Sequence, residues 1–263
     1  MKSVLITGAY GGMGAATTKL LHELGFRVFA VDKTVGQEIE NVIPIQADIT
    51  KEESVKQITP KIREHTDSLF AIIHFAGIYK LDSLVEMEST DFQNIFDVNL
   101  LGAFLVNKEL FSFLEKGSRI IITTSELAVL DPLPFTGIYA ITKAALDKYS
   151  YSLCMELQLH GISVSVLRAG AVYTGMLGVS TAALDEFCKR TQYFSCNAKR
   201  FKQIVERVEA RAISTEKIAQ KVVSILKKSK PSFSYHINRN PLLLLLDVLP
   251  KRIQLGIIKM ILK

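Results

Sequence analysis

Short, nearly unbroken apolar runs punctuate this chain. Between them lie stretches whose apolar positions return every three or four residues. Residues 3–6, 26–31, 42–46, 69–74, 119–124, 163–168 and 232–237 form the runs. Runs of this length and β-rich composition read as strands, and their continuity points to a sheet buried on both faces. The intervening stretches read as helices. One runs through Leu20, Leu21 and Leu24 and stops at Gly25, a residue suited to the left-handed position after a helix. Lys51 to Arg63 is a polar helix. Thr90 to Leu114 is a long amphipathic one, with Phe92, Ile95, Phe96, Leu100, Phe104 and Leu105 near helical spacing, closed by Gly117. Tyr139 to His160 is another. Thr215 to Lys227 follows Ser214 as cap and carries Glu216 in its first turn. Strands alternating with helices predict a doubly wound parallel α/β sheet of about seven strands, with helices on both faces.

Two places in this pattern carry chemistry. The first strand runs into Thr7-Gly8-Ala9-Tyr10-Gly11-Gly12-Met13-Gly14, a helix follows, and the next strand ends at Asp32, 18 residues after Gly14. Glycines there permit a tight turn, close approach of backbone to a pyrophosphate, and close packing of helix on strand. The free N–H groups and positive dipole of the helix N-terminus face that pyrophosphate. An acid about 20 residues on suits a ribose 2′-hydroxyl. The second place is Tyr139-Ala140-Ile141-Thr142-Lys143. Residues four apart share a helix face, and an ammonium beside a phenol favours the phenolate. Lowering a tyrosine pKa by ~3 units takes ~4 kcal/mol of differential interaction. A partly desolvated Lys143 and a cationic cofactor ring are the expected sources.

With these motifs in order, residues 3–237 resemble the short-chain dehydrogenase/reductase family. The resemblance implies a Rossmann-type fold and the following roles. Thr7, Gly8, Gly12 and Gly14 meet the glycine pattern. Tyr139 and Lys143 match the catalytic pair, Asn99 in Asp97-Val98-Asn99 the structural-catalytic Asn, and Ser125 the Ser that ends the fifth strand. Gly8, Tyr10, Gly12, Met13, Gly14, Asp32, Asp48, Ile49, Ala76, Gly77, Tyr139, Lys143, Val172 and Thr174 are the implied cofactor-binding positions. Among these, Asp48 is implied at the adenine edge and Thr174 at the nicotinamide carboxamide. No metal is implied. Asp32 favours NAD over NADP, because a carboxylate accepts from both ribose hydroxyls and repels a 2′-phosphate; Lys33 beside it is the counter-argument.

Three positions depart from the family pattern. Phe75-Ala76-Gly77 stands where Asn-Ala-Gly is usual, so Phe75 is expected to pack where an Asn would hydrogen-bond. Ala169-Gly170 replaces Pro-Gly. Ser125 and Tyr139 are one residue further apart than usual, which we assign to the loop Asp131-Pro132-Leu133-Pro134 and not to a shift placing Glu126 at the Ser position.

The chain has 263 residues, 48% of them hydrophobic, and a net charge of +6. Its basic residues are dispersed without aromatic clustering, which argues against nucleic acid. Cys154, Cys188 and Cys196 form no C-x-x-C pair, and no signal peptide is read at the start, so a cytoplasmic setting with reduced thiols is expected. Residues 1–240 are expected to be one dinucleotide-binding and catalytic domain, with a substrate lid over about 174–212. Met176, Phe187, Tyr193, Phe194 and Phe201 in that lid suggest a lipophilic substrate, or else simple packing at the sheet edge. Residues 241–263 form an apolar-basic tail holding Leu242 to Leu246, Ile253, Ile257, Met260 and Ile261 with Lys251, Arg252, Lys259 and Lys263. It is too short and interrupted to span a bilayer. It reads equally as a peripheral membrane contact, a cover on the substrate pocket, or a subunit contact.

The expected function is NAD(P)-dependent oxidoreduction between a secondary alcohol and a ketone on a steroid- or retinoid-like molecule, in a homodimer or homotetramer built on the long helices. The alternatives are a reductase of fatty acyl or sugar carbonyls, and a non-catalytic dinucleotide-binding sensor or scaffold.

Overall fold

The computed structural model describes residues 1–174, 184–209 and 211–263. Seven parallel strands form one sheet in the order β3-β2-β1-β4-β5-β6-β7. They are β1 (Ser3–Thr7), β2 (Arg27–Asp32), β3 (Val42–Gln46), β4 (Leu69–His74), β5 (Leu114–Ser125), β6 (Ser163–Ala169) and β7 (Ser234–Ile237). Alternate side chains of each strand point to opposite faces, and two hydrophobic cores result. Val4, Ile6, Val28, Ala30 and Ile73 pack under α1 (Gly12–Glu23) and under a C-terminal helix, Thr215–Leu226. Leu5, Phe29, Ile72, Ile120 and Ile122 pack on the other face. That face is covered by α2 (Glu52–Lys56), α3 (Ile58–Arg63), α5 (Gly102–Leu110) and α6 (Gly137–Leu157), and α4 (Ser89–Phe96) packs against α6. The expected doubly wound sheet is present.

Local boundaries differ where a backbone donor is missing or a longer-range contact prevails. The expected helix from Lys51 to Arg63 is split into α2 and α3. Pro60, in the first turn of α3, has no N–H to return to Lys56. The long helix ends at Leu110 instead of Leu114, and between α4 and α5 it carries a π-helical turn, Asp97–Leu101. There Gly102 N–H bonds to Asp97 O, one residue beyond α-helical spacing. Leu114 already pairs with Leu69 as the start of β5.

Phe75 is buried in the α1 core, and its N–H bonds Thr7 O at 3.0 Å, so packing does replace the usual Asn. Ala169 pairs with Ser125 and Ile237. At Gly170 a Cβ would lie 1.9 Å from Asn238 O, so only glycine fits there.

His74, at the end of β4, is buried between Thr7 Oγ1 at 3.4 Å and Asn107 Oδ1 at 2.9 Å. Burial lowers its pKa to about 4, against a weaker opposing effect of Asn107. The folded protein therefore binds this proton less readily than the unfolded chain, whose histidine titrates near 6.5. The contribution is complete above that value and is lost as pH falls through the window down to about 4. Urea unfolding should show a loss of about 2 kcal/mol between pH 7 and 5 and ~3 kcal/mol below pH 4 from this group. In His74→Gln that pH-dependent component should disappear; an unchanged profile would refute the assignment.

A third, small core lies beyond β6. The helix through residues 184–190 (α7) and α8 (Ser195–Glu209) bury Leu184, Phe187, Ala198 and Phe201 with Leu81. Phe135, at φ 66°, places its ring 5.0 Å from Phe187, 5.5 Å from Phe194 and 5.6 Å from Phe201. These helices are latched to the segment 82–86. Asp82 pairs with Arg190 at 2.6 Å, and Glu86 accepts from the Thr191 hydroxyl at 2.6 Å and the Gln192 N–H at 2.7 Å. Phe187, Phe194 and Phe201 thus gather on Phe135, and Tyr193 is exposed. The apolar stretch Gly175 to Val179 lies outside the described residues.

With α9 the Thr215–Leu226 helix, the tail forms α10 (Pro241–Val248) and α11 (Lys251–Leu262). The tail packs on the body of the protein: Glu126 Oε2 accepts the Asn240 N–H at 2.7 Å, Asp247 accepts the Asp131 N–H at 2.9 Å, and Lys251 pairs with Asp131. Leu262 is buried with Phe187 and Phe201, and its carbonyl accepts from Asn197 at 2.6 Å.

Candidate active site

In a doubly wound sheet the ligand crevice lies beyond the carboxyl ends of the strands. Here those ends deliver Thr7, Asp32, His74, Ser125 and Ala169 to one edge. A cleft at the β1 end is lined by Gly8, Gly12, Met13, Gly14, Asp32 and Ile49, with Ala76, Gly77 and Thr174 opposite. A second, mainly apolar cavity is lined by Ser125, Glu126, Tyr139, Val172, Phe201 and Leu243 among others. Met13 and Thr174 line both, so the two adjoin there.

The cleft fits a dinucleotide. A Cβ on Gly14 would stand 2.0 Å from Gly8 O, so the turn closes only with glycine there. Asp32 is held at its mouth: Oδ2 accepts the Tyr10 N–H at 3.0 Å and Oδ1 the Lys33 N–H at 2.8 Å. Each oxygen keeps acceptor capacity for a sugar hydroxyl. Lys33 Nζ is 3.3 Å from Asp48, and Asp48 also accepts from the Thr50 N–H and hydroxyl. Asp48 and Tyr10 do not line the cleft; Tyr10 contributes its N–H, and Ala47 and Ile49 form the wall beside Asp48. Val172 faces the apolar cavity only.

Tyr139 and Lys143 lie one turn apart on α6 beside the C-terminal end of β5, Lys143 buried and Tyr139 partly exposed to the apolar cavity. Lys143 Nζ donates to Thr123 O at 3.3 Å and stands 5.7 Å from the Tyr139 ring centre. The Ser125 side chain hydrogen-bonds the phenol, so Ser125 and not Glu126 meets Tyr139, and the loop 126–136 absorbs the extra residue. Burial pushes the Tyr139 pKa up to about 12, with Ser125 opposing, and pushes Lys143 down to about 8. Desolvation disfavours both charged forms. The Tyr79 ring meets Tyr139 edge-on at 4.6 Å.

Asn99 sits in the π-helical turn, a local irregularity often found at functional sites. Its Oδ1 accepts the Ile78 N–H at 2.8 Å; its Nδ2 donates to Ile78 O and Thr142 Oγ1, both at 3.0 Å. The amide is occupied at both ends, which leaves it as a clamp on the segment after β4.

Sequence reading missed three contributors. Asp147 continues the Tyr139–Lys143 face by one more turn and accepts from Arg168 at 2.9 and 2.8 Å and from Thr124 at 3.3 Å. The i, i+4 spacing was the available signal. Glu126 is a buried carboxylate in the cavity wall, its pKa raised by burial. Leu243 reaches the cavity from the tail, whose apolar run suggested a pocket cover as one of three readings without singling out this residue.

A family model described as short chain dehydrogenase matches residues 2–185. The chain is 32% identical over 179 residues to a 3-amino-tetrahydro-pyrrolizinone reductase of Xenorhabdus hominickii, covering 66% of this chain and 62% of that one. It is 31% identical over 212 residues to estradiol 17-beta-dehydrogenase 2 of Rattus norvegicus, covering 73% of this chain and 55% of the relative. It is 31% identical over 193 residues to an NADPH-dependent 1-acyldihydroxyacetone phosphate reductase of Schizosaccharomyces pombe, with coverage of 69% and 65%. The chain thus spans less than two thirds of the length of each of these relatives. A crystal structure of a short chain dehydrogenase family protein from Francisella tularensis superposes with a TM-score of 0.75 at 22% identity, covering 90% of this chain and 97% of the other. A 3-ketoacyl-(acyl-carrier-protein) reductase from Brucella melitensis complexed with NADH gives 0.73 at 20% identity, with coverage of 90% and 96%. At these identities the two structures establish the shared fold.

Proposed function

The chain belongs to the short chain dehydrogenase family, an oxidoreductase family that binds an NAD(P) dinucleotide, and on that premise we propose that it interconverts a secondary alcohol and a ketone on a lipophilic, steroid- or retinoid-like molecule, with NAD favoured over NADP. One observation carries this reading: Ser125 and Tyr139 line an apolar cavity that adjoins, at Met13 and Thr174, the dinucleotide cleft. The names of relatives that act on estradiol and on an acyl lipid support a greasy substrate.

In this reading Gly8, Gly12 and Gly14 seat the pyrophosphate and Asp32 accepts from the adenosine ribose. The bound dinucleotide supplies the hydride. Ser125 donates a hydrogen bond to the substrate oxygen. Tyr139 delivers its phenolic proton to that oxygen as charge develops there, or removes it in the reverse direction. Lys143, charged, draws the phenol toward its anion and holds a ribose hydroxyl. Asn99 positions the segment carrying Gly77 and Ile78 and keeps the π-helical turn against α6. Exposed Leu101, Phe104, Phe111, Tyr151 and Met155 on the α5 and α6 side support a homodimer or homotetramer built on these helices. Free Cys154, Cys188 and Cys196 suit a reducing cytoplasm.

The test follows NADH and NADPH absorbance against steroid, retinoid, acyl and sugar ketones. Turnover is expected with a steroid or retinoid ketone and NADH. Asp32→Ser should move the NADH/NADPH preference toward NADPH by about 10- to 100-fold, the size of one or two hydrogen bonds to a charged group. An Asp32→Ser enzyme with unchanged preference would refute Asp32 as the discriminator. Tight binding of both cofactors with no carbonyl reduced would refute the catalytic reading.

A further inference from the structure

The tail helices cover the cavity with one side only. Leu243 and Asp247, four apart on α10, turn inward, the first to the cavity and the second to the Asp131 N–H. Leu242, Leu245 and Val248 form the outward stripe of the same helix and are 64%, 65% and 83% exposed. On α11, Gln254 and Leu262 are buried, while Leu255 and Met260 are 71% and 76% exposed. So many large apolar side chains left in water on two adjacent short helices mark an interaction surface.

Charge identifies the partner. Residues 241–263 carry Arg252, Lys259 and Lys263, with Lys251 paired to Asp131, against the single acid Asp247, whose carboxylate is engaged inward. All four cations are exposed. Lys259 and Lys263 edge an apolar groove lined by Leu84, Val85, Pro134 and Ile258, and Leu84 and Val85 are exposed as well. An apolar surface rimmed by cations complements an anionic lipid surface, with phosphates at the ammonium groups and acyl chains beneath. Among the described residues no helix is long and apolar enough to cross a membrane. At ~1.5 Å per residue, α10 and α11 are also far shorter than a ~30 Å hydrocarbon core. They would lie in the interface.

We propose that α10 and α11, with the Leu84–Val85 edge, dock this protein on an anionic bilayer surface. Because α10 carries Leu243 in the cavity wall and Leu242 and Leu245 on its outer side, docking sets the cavity wall against the lipid. Turnover is not required for docking.

The test is co-sedimentation of the full chain with vesicles of phosphatidylcholine alone, or with roughly a third phosphatidylserine. Wild type should partition to the anionic vesicles, less to the neutral ones, and less again at raised salt. Leu245→Glu/Val248→Glu and Arg252→Glu/Lys259→Glu should each weaken partitioning by about tenfold or more, with thermal stability retained. Wild type that stays in solution with anionic vesicles overturns the proposal. So do variants that sediment like wild type. A wild type that ignores vesicles but loses an oligomer on Leu245→Glu/Val248→Glu assigns the face to a second copy instead. A chain that binds vesicles and reduces no ketone keeps this inference and loses the functional one.

Discussion

Replacing Tyr139 by Phe is expected to lower kcat/KM by ~10²–10⁴, the usual effect of deleting a positioned general acid. The change removes one oxygen at the wall of the cavity and leaves the ring in place. The edge contact with Tyr79 survives, because it needs the ring and not the hydroxyl. Lys143 still reaches Thr123 O. Thermal stability and NADH affinity should therefore stay near wild type while turnover collapses, which separates loss of proton transfer from loss of fold. The starting state matters. With burial holding the phenol near 12 and the ammonium near 8, the phenol is neutral and the lysine still largely charged at neutral pH. A Phe variant that keeps turnover within about threefold of wild type would remove Tyr139 from the chemistry.

Asp147→Ala should be the most damaging single change to stability, at ~3–5 kcal/mol, or on the order of 10 °C in Tm. Asp147 and Arg168 are both largely buried and joined by two hydrogen bonds. Removing the carboxylate leaves the guanidinium uncompensated inside the protein, and that desolvated charge, more than the lost attraction, sets the size of the effect. Replacing both residues by apolar ones of similar volume should recover part of it. The pair ties α6 to β6, with Thr124 of β5 as third member, so the single variant should also lose activity through misplacement of Tyr139. Chemical unfolding of the two variants tests this. A single variant within about 1 kcal/mol of wild type would show that the pair is dispensable.

These two predictions rest on residues of unequal legibility. Tyr139 and Lys143 announce themselves because four-residue spacing on a helix is local. The strand–glycine–helix–acid order is legible because each step is a local backbone requirement. Strands β3 and β4 were readable to the residue, and β1 to within one, since they stand as short apolar runs. Leu114 was not: its apolar side chain continues the helical period, and only pairing with Leu69, far away in sequence, makes it a strand residue. Arg168 reads as the charged end of a strand until Asp147 lies beside it. Glu126 reads as a polar neighbour of Ser125 until the Asn240 N–H, from the tail, takes its oxygen. Contacts between distant segments have no period, and spacing cannot reveal them.

The π-helical turn at Asp97–Leu101 can be regarded as a phase shifter. One extra residue in the turn rotates everything after it by about 100° relative to a regular α-helix. α5 thus presents its apolar face to the sheet while α4 packs on α6, and the offset between them falls at Asn99. A one-residue deletion there would restore an ideal helix and yet turn the amide away from Ile78 and Thr142. The irregularity is what permits a single rod to satisfy two registers, that of the sheet behind it and that of the Tyr139 helix beside it.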